Sequence, residues 1–331
     1  ATSNRLAPMS SIIRMLSDNV LEATVGSEKY VSYENPDDLR RVQILSTILI
    51  EELNRVCKEL NISYQAYGGT AIGAVRHNGF IPWDDDVDVS MFREDYEIFL
   101  EKAPALLRPD FCIHNGRNND NFPAVITHLS LKDTVRVPDE FMTCPFKLAI
   151  AIDIFPFDKI PTNPKVLASV KRRTWFWGRL NFLLATPKPR IPLSGASRYL
   201  ALAGCFVIHG ILRLLHVPSK YILDKWDQAA RAAEGENTTH YASFVEPDPE
   251  NWSMDKEDVF PMVRVPFEDI TTTLPKEYDK LLTRGYGDYM QLPPEKDRKN
   301  HHPGALDFGK WKDIDVTKGS RQAFEDFGQK S

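Results

Sequence analysis

Residues Tyr67–Ser90 read YGGTAIGAVRHNGFIPWDDDVDVS, and this stretch decides the fold. It opens on a Gly-Gly turn and closes on four carboxylates, Asp84, Asp85, Asp86 and Asp88, within five residues. Asp86-Val87-Asp88-Val89 alternates polar and apolar, the pattern of a strand buried on one face. On such a strand Asp86 and Asp88 project from one side, while Val87 and Val89, with Met91 beyond them, turn into the core. Two carboxylates held that close repel each other unless a cation sits between them, and hard oxygen donors suit Mg²⁺ or Mn²⁺. An exposed acidic loop would not alternate so cleanly. An EF-hand is excluded, because its glycine position holds Val89 and its twelfth position Asp95 rather than Glu. Upstream, Ile62–Tyr67 reads as a strand running into Gly68-Gly69. Thr70–Arg76 then reads as a helical turn that Asn78-Gly79 breaks. Glycines at a helix start let backbone N–H groups approach a phosphate.

Working outward, Asn35-Pro36-Asp37-Asp38 reads as a helix start, with Asn as N-cap, Pro in the first turn and two acids on the dipole. Apolar residues from Leu39 to Leu60 then recur at helical spacing. Residues 149–155 form an apolar run with one embedded charge, Asp153, which is costly to bury unless paired or bound to metal. Strand and helix signals alternate to about residue 158, the mark of an α/β (α+β) core. Asp153 joins Asp86 and Asp88 as a third ligand or base.

The 331 residues suffice for one large domain or two modest ones, and 42% apolar with 26% charged residues excludes a disordered or fibrous chain. Cys57, Cys112, Cys144 and Cys205 form no CxxC pair, which speaks against a zinc site or disulfide framework and fits a reducing compartment. No basic-then-apolar leader opens the sequence, and the expected location is cytoplasmic. Charge is segregated. Between Pro161 and Leu223 there is no Asp or Glu but ten Lys or Arg, and removing those ten from the net −5 leaves −15 on the rest. In this stretch Trp175, Phe176 and Trp177 lie among basic residues, and Tyr199–Leu215 is almost wholly apolar. Such a segment suits an anionic membrane surface or a lipid-linked polyphosphate acceptor at the inner face. Nucleic acid is not expected, given the surrounding negative charge. The expected organisation is an N-terminal extension over 1–35, holding a short helix at Ile12–Ala23, and a catalytic core over 36–160. A basic, apolar helical insert follows over 161–235, a part completing the core over 236–310, and a polar, solvated tail over 311–331.

The run from Gly68 to Val89 closely resembles the signature of the LicD family, which includes bacterial phosphocholine transferases and, more distantly, fukutin-related protein. Ala151-Ile-Asp-Ile-Phe-Pro-Phe-Asp158 and Tyr286-Gly-Asp-Tyr-Met-Gln-Leu-Pro-Pro-Glu-Lys296 extend the resemblance over roughly residues 38–302, with Ala71-Ile72 where leucines are usual. It implies a polymerase-β-like nucleotidyltransferase core that moves a phosphorylated alcohol from a CDP-activated donor to a glycan hydroxyl, releasing CMP. By the same resemblance Asp86, Asp88 and Asp153 are the catalytic and Mg²⁺ (or Mn²⁺) ligands. Gly68, Gly69 and Thr70 face the donor phosphates, and Arg76 and His77 neutralise them. Asp84 and Asp85 are expected to orient the loop, and His301 and His302 to be a solvated pair. The acceptor class is a cell-surface glycan, a teichoic-acid-type precursor or its lipid-linked form. A phosphocholine donor would want an aromatic cage, for which Trp83, Tyr96, Trp252 and Tyr289 are candidates. CDP-ribitol, CDP-glycerol, or nucleotidyl transfer from an NTP would use the same carboxylates. A non-catalytic scaffold would have no need of all three.

Overall fold

The computed structural model describes residue 33 and residues 35–328 apart from 190, 192, 299 and 302. The helix expected at Ile12–Ala23, and His302, lie outside the described residues. Helix α1, Pro36–Leu60, begins as its sequence dictates, with the Asn35 side chain accepting from the Asp37 N–H at 3.0 Å and Pro36 in the first turn. Asn61 closes it in the left-handed region at φ 54°. Val42, Ile44, Leu45, Ile48, Leu49, Leu53 and Val56 are wholly buried, so α1 is the central rod of the core. Each such side chain contributes about 1.5–3 kcal/mol.

Around it run β1 (Gln65–Ala66), α2 (Gly68–His77), β2 (Asp88–Phe92), α3 (Arg93–Lys102), β3 (Phe111–His114), β4 (Thr127–Leu131), β5 (Val135–Val137) and β6 (Ala151–Lys159). The main sheet has the order β1-β2-β6-β4-β3, with β2 and β6 parallel and the other neighbours antiparallel. β7 (His240–Ala242) pairs with the far end of β6, and β8 (Met254–Asp255) with β7. This curled mixed sheet with helices on it is the α/β core that the alternation of signals predicts. Val87, Val89 and Met91 are wholly buried, as the period-two pattern requires.

The insert consists of α4 (Pro164–Ala185), α5 (Gly195–Leu214) and α6 (Ser219–Ala230). Val170 on α4 packs with Trp226 and Ala230 on α6, while α5 is seated at its C-terminal end, where Leu212 meets Leu184 and Ile222. An ion-pair network, buried at Arg93 and Asp158, joins these helices to the core. Arg93 grips Asp158 with two bonds of 2.7 Å and reaches Asp227 on α6 at 2.9 Å. Glu97 adds bridges to Arg117 at 2.6 Å, Arg93 at 3.1 Å and Arg231 at 3.3 Å. Burial alone would raise the Glu97 pKa, but Arg117 and Arg93 outweigh it and hold the group at about 2. A carboxylate depressed below its unfolded value stabilises above that value, about 4.3, and loses the contribution as pH falls through the folded pKa. Glu97→Gln is therefore expected to cost about 1 kcal/mol at neutral pH, allowing for screening of this partly exposed group. It should also flatten the acid limb of stability; urea unfolding of both proteins at pH 7 and pH 3 measures it, and parallel acid limbs would refute it.

Beyond the insert come α7 (Lys256–Val259), the hairpin β9 (Val263–Phe267) and β10 (Ile270–Leu274), α8 (Tyr278–Tyr286), β11 (Ala305–Asp307) and α9 (Ser320–Gly328). β11 pairs with β5, bringing Leu306 opposite Arg136. The tail expected to be solvated over 311–331 is instead docked as far as it is described. Trp311, Ile314 and Ala323 are buried in the main core, and Trp311 stacks on Phe324 and Phe327 with ring centroids 5.6 and 4.8 Å apart. The polar average of the segment hid an apolar face.

Candidate active site

The sheet register builds the site. Asp88 on β2 stands beside Asp153 on β6, and Asp153 stands opposite His128 on β4. The three side chains therefore form one row across three strands, on one face, at neighbouring-strand spacing. His128 Nε2 lies 3.2 Å from Asp153 Oδ1. Burial lowers the His128 pKa, which keeps the imidazole neutral, and burial raises that of Asp153, with Asp86 adding to the rise.

The alternation of half-buried and buried positions runs from Asp84, but the strand itself begins at Asp88, two residues after the start expected at Asp86. Asp84, Asp86 and Asp88 are half-buried, alternating with Asp85, Val87 and Val89, which are fully buried. Odd and even positions thus face opposite ways. Asp85 occupies a core slot and is fully satisfied there: Tyr33 Oη and Arg136 Nη2 each donate to its carboxylate at 2.8 Å, and so does the His301 N–H at 2.8 Å. Despite its burial, the Arg136 guanidinium and the His301 bonds hold its carboxyl well below the usual range. Asp85 is the anchor, and Gln43 Nε2 adds a bond of 2.9 Å to the Asp84 carbonyl.

The two glycines lie against the outward carboxylates. Gly68 adopts φ +55°, and a Cβ there would sit 3.4 Å from Asp88 Oδ2 and 3.5 Å from the Tyr286 hydroxyl. A Cβ on Gly69 would approach Asp84 Oδ2 to 3.0 Å. They form the first turn of α2, whose N-cap residue Tyr67 supplies no side-chain acceptor. The first backbone N–H groups of this helix thus lack a side-chain cap, and the acids lie beside this first turn.

Such crowding is costly without a counter-charge. Burial raises the pKa of Asp84 well above the usual value, and its contact with Asp86 raises it further. Asp88 is raised by burial and then by Asp86 and Asp153. Among the described residues, Asp84, Asp86 and His301 each offer a ligand atom within 4.8 Å of the others. This is a possible metal site: its carboxylate oxygens fit a hard divalent cation, and a cation there would relieve the repulsion. Asp86 is common to this trio and to the expected set of Asp86, Asp88 and Asp153. His301 Nδ1 lies 3.1 Å from Asp86 Oδ2, and Asp86 foremost pushes its pKa up to about 9, so without a cation it is the counter-charge to Asp86 and must lose its proton to serve as a ligand.

Several expected residues are placed differently. Thr70 is buried, and its hydroxyl accepts the Asp88 N–H at 2.9 Å, so it fixes the strand rather than facing a ligand. Arg76 and His77 lie at the opposite end of α2, about 12 Å along the axis from Gly68. There Arg76 Nη1 donates to the Tyr289 carbonyl at 2.6 Å, a bracing role for the segment after α8. His301, expected in solvent, joins the carboxylates because the β11–β5 pairing delivers it. Of the aromatic candidates, Tyr96 is bound to Thr127 at 2.6 Å and Tyr289 to Asp279 at 2.6 Å, while Trp83 carries the Arg298 guanidinium on its face. Trp252 is the one beside the site. Its ring lies 5.9 Å from Tyr67 and 4.9 Å from Tyr286, and the Tyr67 hydroxyl donates to Glu246 at 3.1 Å. His128 and Glu246 were missed, because neither stands in a motif.

Comparison with known proteins agrees with this geometry. Residues 61–195 match the model of the LicD/FKTN/FKRP nucleotidyltransferase domain. The lipopolysaccharide cholinephosphotransferase LicD of Haemophilus influenzae is 28% identical over 278 residues, covering 80% of this chain and 96% of that protein. An uncharacterized protein of Rickettsia prowazekii is 43% identical over 54 residues, 16% of this chain and 20% of its own length. One of Rickettsia typhi is 39% identical over 69 residues, 21% of this chain and 22% of its own. Over residues 61–195 the chain carries the LicD/FKTN/FKRP nucleotidyltransferase domain, and it is a phosphotransferase enzyme.

Proposed function

We propose that the protein transfers a phosphorylated alcohol of the phosphocholine type from a CDP-activated donor to a hydroxyl of a cell-surface glycan or its lipid-linked precursor. The observation that carries this reading is the crowding of Asp84, Asp86 and Asp88 beside the first turn of α2, which has no side-chain cap. Glycine at both 68 and 69 leaves the backbone N–H groups of that turn open to donor phosphate oxygens, next to the acids that would hold its cation. Asp84, Asp86 and Asp88, with His301 beside them, would hold Mg²⁺ or Mn²⁺, which supplies charge neutralisation for the diphosphate and for the departing CMP. Asp153 faces the acceptor, steadied by His128. The acceptor oxygen attacks the phosphorus that bears the alcohol, its proton passes to the Asp153 carboxylate, and the bond to CMP breaks with its electron pair leaving on CMP.

The alcohol is read from Trp252, Tyr286 and Glu246. Aromatic faces beside a carboxylate attract a quaternary ammonium, worth about 1–2 kcal/mol when desolvated. Burial raises the Glu246 pKa, and a bound cation would draw the group back to its charged form. The test is metal-dependent CMP release from CDP-choline, CDP-ribitol and CDP-glycerol. CDP-choline is expected to be preferred, with Trp252→Ala raising its KM about tenfold and Trp252→Phe retaining most of the affinity. Preference for a polyol donor would reassign the alcohol, and pyrophosphate release from an NTP would replace the reading by nucleotidyl transfer.

A further inference from the structure

Helix α5 is wrongly dressed for water. Over its 20 residues, Gly195–Leu214 is apolar and long enough to cross a membrane, yet only 6% of its apolar window is buried. Tyr199, Leu200, Phe206, Val207, Ile211 and Leu214 are between 49% and 77% exposed. Their spacing places them on one stripe of the helix, about 140° wide, with Leu212 on the opposite side facing α4 and α6. A contiguous apolar face of this size marks an interaction site.

Charge selects the occupant. Residues 161–223 hold ten basic residues and no acid, while the remainder of the chain, whose net charge is −15, would be repelled by an anionic surface. On α4, Arg172 and Arg173 are exposed within one turn of Phe176, itself 47% exposed. Lys171 is excluded from this group, being bound to Asp248 at 3.2 Å and Glu250 at 2.8 Å. Basic residues and an apolar helical stripe within one acid-free segment match the interface of an anionic bilayer.

The connections decide between lying on the bilayer and crossing it. The C-terminal ends of α4 and α5 meet at Leu184 and Leu212, and His209 Nδ1 is 2.7 Å from the Leu183 carbonyl. The ends of the link from Ala185 to Gly195 therefore lie the length of α5 apart. A crossing helix would draw that link, with Lys188 and the irregular backbone of 186–189 in it, into hydrocarbon that cannot satisfy its backbone. We infer that α5 lies in the plane of an anionic lipid surface, docking the enzyme there through its apolar stripe and the basic face of α4. This holds whichever alcohol the donor carries.

The test uses the full chain with vesicles of phosphatidylcholine alone or with phosphatidylglycerol at 30 mol% (roughly the anionic content that gives a strong surface potential), separated by flotation. Flotation with the anionic vesicles is expected, and at least tenfold less with neutral ones. Leu200→Asp/Phe206→Asp and, separately, Arg172→Glu/Arg173→Glu should each lower the bound fraction at least tenfold, with CMP release from a soluble donor unchanged to show intact folding. Equal binding to neutral vesicles, no binding to either, or variants that bind like the parent would overturn the inference. So would a concentration-dependent dimer that the Leu200→Asp/Phe206→Asp variant converts to monomer, with no vesicle binding by the parent, because a second copy would then be the occupant.

Discussion

Asp88→Asn is expected to reduce CMP release about a thousandfold while leaving the metal-free protein as stable as the parent or more so. Both halves follow from one fact. Asp88 stands in a row with Asp153 and close to Asp84 and Asp86, and burial together with these like charges pushes its pKa well above the usual range. In the absence of a divalent ion that charge is a liability for folding, and the amide removes it at constant shape. With the proposed ion and donor bound, the same charge would serve the transfer, because phosphoryl transfer depends on placement and neutralisation more than on covalent help. Thermal melts in chelator should show no fall for the variant, and melts with excess Mg²⁺ should show the parent gaining more than the variant. Activity within tenfold of the parent would remove Asp88 from the site. A large loss of stability in chelator would mean that its carboxylate is structurally satisfied instead of crowded.

How far the site could be read from sequence depends on whether its residues are related by local or by distant geometry. The alternation from Asp86 to Val89 separates the outward carboxylates from the core positions. Carried two residues further back, it would also have separated Asp84 from Asp85, which were treated alike; parity places Asp85 inward with Val87. Helical rise alone would likewise have set Arg76 and His77 apart from Gly68, since Arg76 lies eight residues along α2 from the glycine. The partnership of Asp88 with Asp153 is different. It needs the parallel pairing of β2 with β6, which lie some sixty residues apart, and no local pattern specifies which strands meet. His128 and His301 depend on registers of the same long-range kind. The docked C-terminal segment fails for a third reason: Trp311, Phe324 and Phe327 are few among polar neighbours, so composition outweighed periodicity.

Asp85→Ala is expected to destabilise the fold by about 3–5 kcal/mol, the cost of leaving a buried cation without its partner. Asp85 is inaccessible to solvent, and Arg136, 15% exposed, has its guanidinium turned inward onto it. Tyr33 and the His301 backbone lose their acceptor in the same step. Activity should fall sharply as well, although Asp85 faces away from the donor, because it is the point from which Asp84 and Asp86 are aimed and the one that tethers His301 beside them. Turnover measured well below the melting temperature separates this loss from unfolding. Urea unfolding of Asp85→Ala, Arg136→Ala and the double variant gives the coupling. The double variant should cost at least 1.5 kcal/mol less than the two single costs combined, since removing both charges leaves no unpaired ion. Additive costs would mean that Arg136 finds another carboxylate when Asp85 is gone. Asp86 is the nearest such group, and an arginine drawn onto it would occupy an oxygen that the cation site requires, so additivity should come with weaker metal binding in Asp85→Ala.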